Sequence, residues 1–317
     1  MHRRLPCLVG VSIVRAVTQD YAEQRKLMNV SLGVAWLLLV LKVVAAAKTG
    51  SSAIFSDAAE SVVHALAVCF AWWALRISHK PADETHHFGH DKVAFLSTGF
   101  EGAMISAAAF FILYEAGKQL WTGVEISNLG IGLALTGFAA VINLVLGLAL
   151  VRLGKKRGSR VLRANGEHVL TDVWTSGGVL VAILLIFLTG WKWWDPLMAA
   201  FCAVNILRTG IGLIRECLGG LLDEVDPEVE KKIRRVLSAA ADEHGVSYHN
   251  LRYRHSGRTH WVEFHLVFGD EVGLGRAHDL ATRIEEAVAR LLEPDGRVIS
   301  HLEPRSAESR VESWEGP

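Results

Sequence analysis

Apolar residues fall into six long runs over the first part of the chain and into short periodic patches over the last part. The runs cover approximately residues 30–47, 52–75, 93–120, 129–153, 168–188 and 194–214. A helix needs roughly 17–25 predominantly apolar residues to cross the hydrocarbon core of a bilayer, so each run predicts a membrane-spanning helix. The fifth becomes wholly apolar only from Val173. Trp72, Trp73, Trp121, Trp191, Trp193 and Trp194 stand near run ends, where interfacial aromatics gather.

After Leu222 the pattern changes. "DEVDPEVEKKIRRVLSAAADEH" predicts an amphipathic helix with Asp226 as N-cap and Pro227 in its first turn. "YHNLRYRHS" and "HWVEFHLVF" alternate as strands do, around the turn residues Ser256-Gly257-Arg258. "GRAHDLATRIEEAVARLL" predicts a second amphipathic helix and "RVISHLE" a last strand. The order α-β-β-α-β predicts a small ferredoxin-like α+β domain. The expected organisation is an N-terminal extension at 1–27, a six-helix transmembrane domain at 28–217, the α+β domain at 218–304 and a disordered tail from 305.

Composition and charge sharpen this picture. Of 317 residues, 51% are hydrophobic, too many for an ordinary soluble chain of this length once they are gathered into runs. The formal net charge is zero, so no basic field points to nucleic acid. Cys7, Cys69, Cys202 and Cys217 form no CxxC pair, which argues against a disulfide framework or a thiolate zinc site. Basic residues concentrate before the first run (Arg15, Arg25, Lys26), after the second (Arg76, Lys80, Lys92) and after the fourth (Arg152 to Arg163). The alternate loops hold little more than Lys48, Lys118 and Lys192. The positive-inside rule then places both termini, and with them the α+β domain, in the cytoplasm. The stretch "LPCLVGVSIV" after Arg3-Arg4 has the pattern of a short signal peptide, but it is read as an uncleaved cytosolic extension, because no persuasive small-residue cleavage site follows and the inferred topology keeps this end inside.

The chemistry lies where polar residues break the apolar pattern. In "SDAAESVVHALAV" Asp57, Glu60 and His64 share a helical face, at spacings of three and four. In "EHVLTDVW" His168 and Asp172 repeat the spacing of four. Ionisable groups within a membrane cost at least ~2.5 kcal/mol each and face a partner or a cavity. Two helices that each offer two ligand-type groups one turn apart can close a four-coordinate site for a first-row divalent ion. Interhelical hydrogen bonds are the plainer reading of either pair alone. The loop "KPADETHHFGHDK" spaces Asp83, His86 and His90 as a loop metal site would, with His87 as a spare. In the α+β domain, His265 lies opposite the apolar face of Val262, Phe264, Leu266 and Phe268, and His301 and Glu303 share a face of the last strand. His249 and His278 complete the set. Lys42 and Glu101 are ionisable residues within runs that acquire no role from spacing.

"GSSAIFSDAAESVVHA", "HVLTDVWTSGGVLVA", "PADETHHFGHDKVAFL" and "LLDEVDP" resemble segments of the cation diffusion facilitator family, bacterial zinc and iron efflux antiporters, over residues 28 to 303. The resemblance implies a homodimeric, proton-driven metal exporter of the bacterial inner membrane, with Zn²⁺ as cargo and structural ion, no organic cofactor and no enzymatic activity. It implies a transport site of Glu60, His64, His168 and Asp172, with Asp57 as an alternative member. It implies a loop site of Asp83, His86 and His90, and a cytosolic binuclear site of His249, His265, His278, His301 and Glu303. It also aligns Lys92 and Asp223 with an interhelical charge pair. The second-run pair departs from the family's DxxxD or HxxxD, reading ExxxH here, which bears on metal choice among Zn²⁺, Fe²⁺, Cd²⁺, Co²⁺ and Mn²⁺. A membrane metal sensor that does not transport is the rival reading. An intramembrane metalloenzyme would need a motif such as HExxH, which does not occur.

Overall fold

The computed structural model describes residues 8–49, 52–122, 129–191, 193–292 and 295–307. Within these, the side chains of 8–20, 45–49, 52–60, 129–136 and a few further helical residues lie outside the described set. The chain divides into two compact units, Met1–Leu218 and Gly219–Pro317.

The first unit is built from six helices: α1 (Leu8–Thr49), α2 (Ser52–Ser78), α3 (Val93–Thr122), α4 (Leu129–Lys156), α5 (Arg160–Thr189) and α6 (Trp194–Leu221). Among the described residues, Tyr21–Val44, Val93–Trp121, Gly137–Lys156 and Pro196–Leu221 are long and apolar enough to cross a membrane, while the described apolar part of α2 is His64–Ser78. The bundle reverses the usual distribution of polarity. Val145 and Phe201 are 65% and 68% exposed, whereas Gln24, Ser97, Thr98, Glu101, Asn165 and His168 are buried. Water would disfavour that surface, and a hydrocarbon solvent with polar groups paired inside favours it. The unit is a helical transmembrane domain.

Two boundaries differ from the hydropathy pattern. Helix α1 is continuous from Leu8, and the buried Gln24 and Met28 show its packing starting before the apolar run does. Helix α5 starts at Arg160, two turns ahead of its run, where the side chain of Ser159 accepts a hydrogen bond from the Leu162 N–H. Its first turns are polar yet make pairings with neighbouring helices. Arg160 and Arg163 both pair with Glu216 of α6, and Asn165 donates to the Ser31 hydroxyl at 2.9 Å. Close approach of α4 and α5 depends on glycine: a Cβ on Gly166 would stand 2.8 Å from the backbone N of Val151, and one on Gly147 would stand 2.8 Å from Leu170 Cγ. Small residues at helix contacts are the membrane solution to tight packing. Helices α2, α3 and α5 touch one another pairwise, and their junction positions the intramembrane polar cluster.

The second unit contains α7 (Pro227–His244), β1 (Ser247–His255), β2 (Thr259–Phe268), α8 (Leu274–Ala289) and β3 (Asp295–Pro304). Asp226 caps α7 by accepting from the Glu228 and Val229 N–H groups. Strands order β1-β2-β3, with β1 antiparallel and β3 parallel to β2. The αββαβ order matches the expectation. One sheet face packs on the helices: Ile233 and Leu237 of α7 and Ala281, Ile284 and Val288 of α8 meet Val262, Phe264, Leu266 and Phe268. Period-two alternation then turns His265 to the other face. Arg305–Ala307, where the tail was expected to begin, forms a 3-10 turn, and residues 308–317 lie outside the described set.

Candidate metal centres

Three groups of ligand-type side chains converge among the described residues, each with ligand atoms all within 4.8 Å of one another. The first joins His64 of α2 to His168 and Asp172 of α5. The His64 and His168 rings meet edge to face with centroids 4.7 Å apart, and His64 Nδ1 lies 4.0 Å from Asp172 Oδ2. His64 Nδ1 is buried and makes no hydrogen bond among the described residues. Burying an unsatisfied polar atom costs about 1–3 kcal/mol, a cost that a coordinated cation would remove. Asp172 is 40% exposed at the side chain, against 14% for His64 and 8% for His168, so the centre opens on its carboxylate side. The early start of α5 sets His168 two turns inside that helix, level with His64. The side chains of Asp57 and Glu60 lie outside the described residues; both positions are on the helical backbone of α2, with Glu60 one turn before His64.

Sequence spacing did not connect Glu101 to this centre. Glu101 of α3 has 0% exposure, and one carboxylate oxygen contacts His168 Nδ1. The inward face of α3 comprises Ser97, Thr98, Glu101, Ile105 and Ala109, all buried. An acid inside an apolar run was the available signal, but periodicity does not say which neighbouring helix such a face meets.

The second group lies in the loop between α2 and α3. Asp83 Oδ1 accepts from the backbone N–H of Thr85 at 3.0 Å and of His86 at 2.7 Å, and from the Thr85 hydroxyl at 3.0 Å. Asp83 Oδ2 faces His90 Nε2 at 3.5 Å, and the His86 and His90 rings lie 4.4 Å apart. Removal from water pushes the Asp83 carboxyl up, but the hydrogen bonds from His86 and Thr85 outweigh this and hold it well below the usual carboxylate range. A depressed carboxyl stabilises the folded loop above its ordinary range, and that contribution is lost only as pH falls through the lowered value. The turn therefore persists in its ionised form at neutral pH. His87 points elsewhere, with Nε2 3.1 Å from the Glu84 carbonyl.

The third group uses the uncovered face of the sheet. Register aligns His249, His265 and His301 across the three strands, and Glu303 follows His301 on the same face. His265 Nδ1 lies 2.8 Å from Glu303 Oε1, His249 Nε2 lies 3.0 Å from Oε2, and His301 Nε2 lies 3.7 Å from Oε1. Glu303 is 7% exposed, so its carboxyl group is buried against imidazoles. A donor set of imidazole nitrogens and one carboxylate fits Zn²⁺. His278 is exposed on α8 and is not in this group. Asp223 sits in a left-handed turn after α6, 3.5 Å from Arg254.

The family model for the cation efflux transmembrane domain matches residues 28–222, and that for the cation efflux protein cytoplasmic domain matches 225–305. The chain is 38% identical over 287 residues to an uncharacterized transporter of Synechocystis sp., covering 90% of this chain and 91% of the relative. It is 32% identical over 282 residues to the cation-efflux pump FieF of Serratia proteamaculans, covering 88% and 93%. The FieF of Citrobacter koseri is 31% identical over 275 residues, covering 86% and 90%. A membrane-embedded helical bundle with converging ligand-type residues, an αββαβ cytosolic domain and likeness to efflux pumps over most of both chains have one common reading: the chain belongs to the cation efflux family, the cation diffusion facilitators.

Proposed function

We propose that this protein exports a divalent metal ion, Zn²⁺ first among them, across the bacterial inner membrane in exchange for protons, with both termini in the cytoplasm. The observation that carries the reading is the convergence of His64, His168 and Asp172 from two helices inside a transmembrane bundle. Glu60, one turn before His64, is the fourth ligand in this reading and completes a two-nitrogen, two-carboxylate set suited to Zn²⁺. Fe²⁺, Cd²⁺, Co²⁺ and Mn²⁺ are the competing cargoes, since ligand affinity alone does not set selectivity in cells. Metal binding requires neutral imidazole and ionised carboxylate, so cation and protons compete for one centre. If the centre faces the two sides of the membrane alternately, an inward proton gradient drives metal out. Purified protein in proteoliposomes, with a pH gradient and an entrapped zinc indicator, tests this. Gradient-dependent zinc movement, abolished by a protonophore, is expected. Zinc binding without gradient-driven flux would leave a sensor.

The cytosolic domain is read as a dimerisation and metal-binding unit. A metal ion held by His249, His265 and Glu303, with His301 at the edge, would cross-link the three strands. His278 would have to be brought in by rearrangement or by a partner subunit. Sedimentation of residues 223–305 should show a dimer that zinc tightens, because a ligand binding only the associated form stabilises it. A monomer at all zinc concentrations would refute this part of the proposal.

A further inference from the structure

We propose that Glu101 is a positioning residue of the transmembrane metal centre, whose buried carboxylate accepts the Nδ1–H of His168 and so presents the opposite ring nitrogen, Nε2, to the cargo ion. This rests on the reading of His168 as a cargo ligand. In the proposed arrangement Glu101 is the ionised partner, which can only accept hydrogen bonds, so Nδ1 of His168 carries the proton. The remaining lone pair is then on Nε2. Metal-binding imidazoles are commonly held this way, their second nitrogen donating to a carboxylate that fixes ring orientation and raises ligand basicity. The acid comes from α3, a helix that supplies none of the converging ligand atoms.

The packing supports orientation over general adhesion. Glu101 has 0% exposure, and the neighbouring inward residues Ser97, Thr98 and Ile105 are buried with it, so the carboxylate is seated within the junction of α3 and α5. Its second oxygen, Oε1, is buried without a hydrogen bond among the described residues. A carboxylate retained inside a membrane bundle is costly unless it does something for its neighbours. Among the described residues its hydrogen-bond partner is His168 of the proposed metal centre.

The test is zinc flux in proteoliposomes, resolved into KM and maximal rate per incorporated protein, for Glu101→Ala, Glu101→Gln and Asp172→Ala. Loss of an outer-shell partner typically costs ~10–100-fold in metal affinity. Glu101→Ala is therefore expected to raise the zinc KM by about that factor, with maximal flux kept within a few-fold. Glu101→Gln, whose amide oxygen still accepts from Nδ1–H, is expected to show a smaller rise. An unchanged KM in Glu101→Ala overturns the proposal, and so does a fall in maximal flux alone, which marks a packing role. A KM rise in Glu101→Gln as large as in Glu101→Ala also overturns it, because charge would then matter and orientation would not. Asp172→Ala separates the two levels of argument. If it transports normally, the metal centre itself is misassigned. If it is inactive while Glu101→Ala is normal, only the role of Glu101 fails.

Discussion

Asp172→Ala should give a folded protein that no longer moves zinc, with flux reduced by at least ~100-fold, beyond the 10–100-fold typical of outer-shell losses. In the proposed centre the substitution removes a direct oxygen ligand together with the negative charge that offsets the cation in a weakly screening interior. It should cost little in stability. The Asp172 side chain is 40% exposed, and its contact with Asn143 Nδ2 is long, at 3.5 Å. No cavity opens in a packed core, so the large penalties of core truncation do not apply. The cytosolic domain is untouched by the change. Size-exclusion chromatography in detergent should show the wild-type profile, and proteoliposome flux should show the loss. Wild-type flux in this variant would refute the assignment of the centre.

His64→Asp should change which metal is carried. A buried imidazole nitrogen with no hydrogen bond among the described residues favours a borderline ion such as zinc, whereas oxygen donors suit harder ions such as Mn²⁺. Exchanging nitrogen for oxygen should shift the ratio of Mn²⁺ to Zn²⁺ flux by about tenfold or more, equivalent to ~1.4 kcal/mol of relative preference. The shorter aspartate also has to reach the site from the same position on α2, so zinc flux itself should fall. The rival arrangement makes Asp57 and Glu60 the working pair on α2 and leaves His64 as packing. Asp57→Ala measured alongside separates them. If selectivity is unchanged in His64→Asp while Asp57→Ala abolishes flux, Asp57 replaces His64 in the centre.

The apolar runs were legible because spanning a bilayer demands length and composition that few other roles require. The αββαβ domain was legible for a different reason. Val262, Phe264, Leu266 and Phe268 alternate with polar residues, so period alone assigns them to the core and His265 to the opposite face. The start of α5 was not legible, because hydropathy scores Arg160, Arg163 and Asn165 as polar without their partners Glu216 and Ser31. The beginning of α1 was hidden in the same way: Gln24 is polar, yet it is buried.

Spacing along each helix, by itself, paired His168 with Asp172 and placed His64 on a polar face, because residues four apart must lie one above the other. Alternation likewise placed His301 and Glu303 together. The tertiary structure decided which faces meet. Only helix packing brings His64 to His168 across α2 and α5 and delivers Glu101 from α3 to Nδ1 of the same ring. Only strand register sets His249, His265 and His301 in one row beside Glu303, while leaving His278 exposed on a helix. The physical reason is one of range. Backbone geometry fixes relations between residues a turn or a pleat apart, whereas contacts between elements depend on how glycines such as Gly166 let helices approach and on which buried polar groups find partners once they have done so.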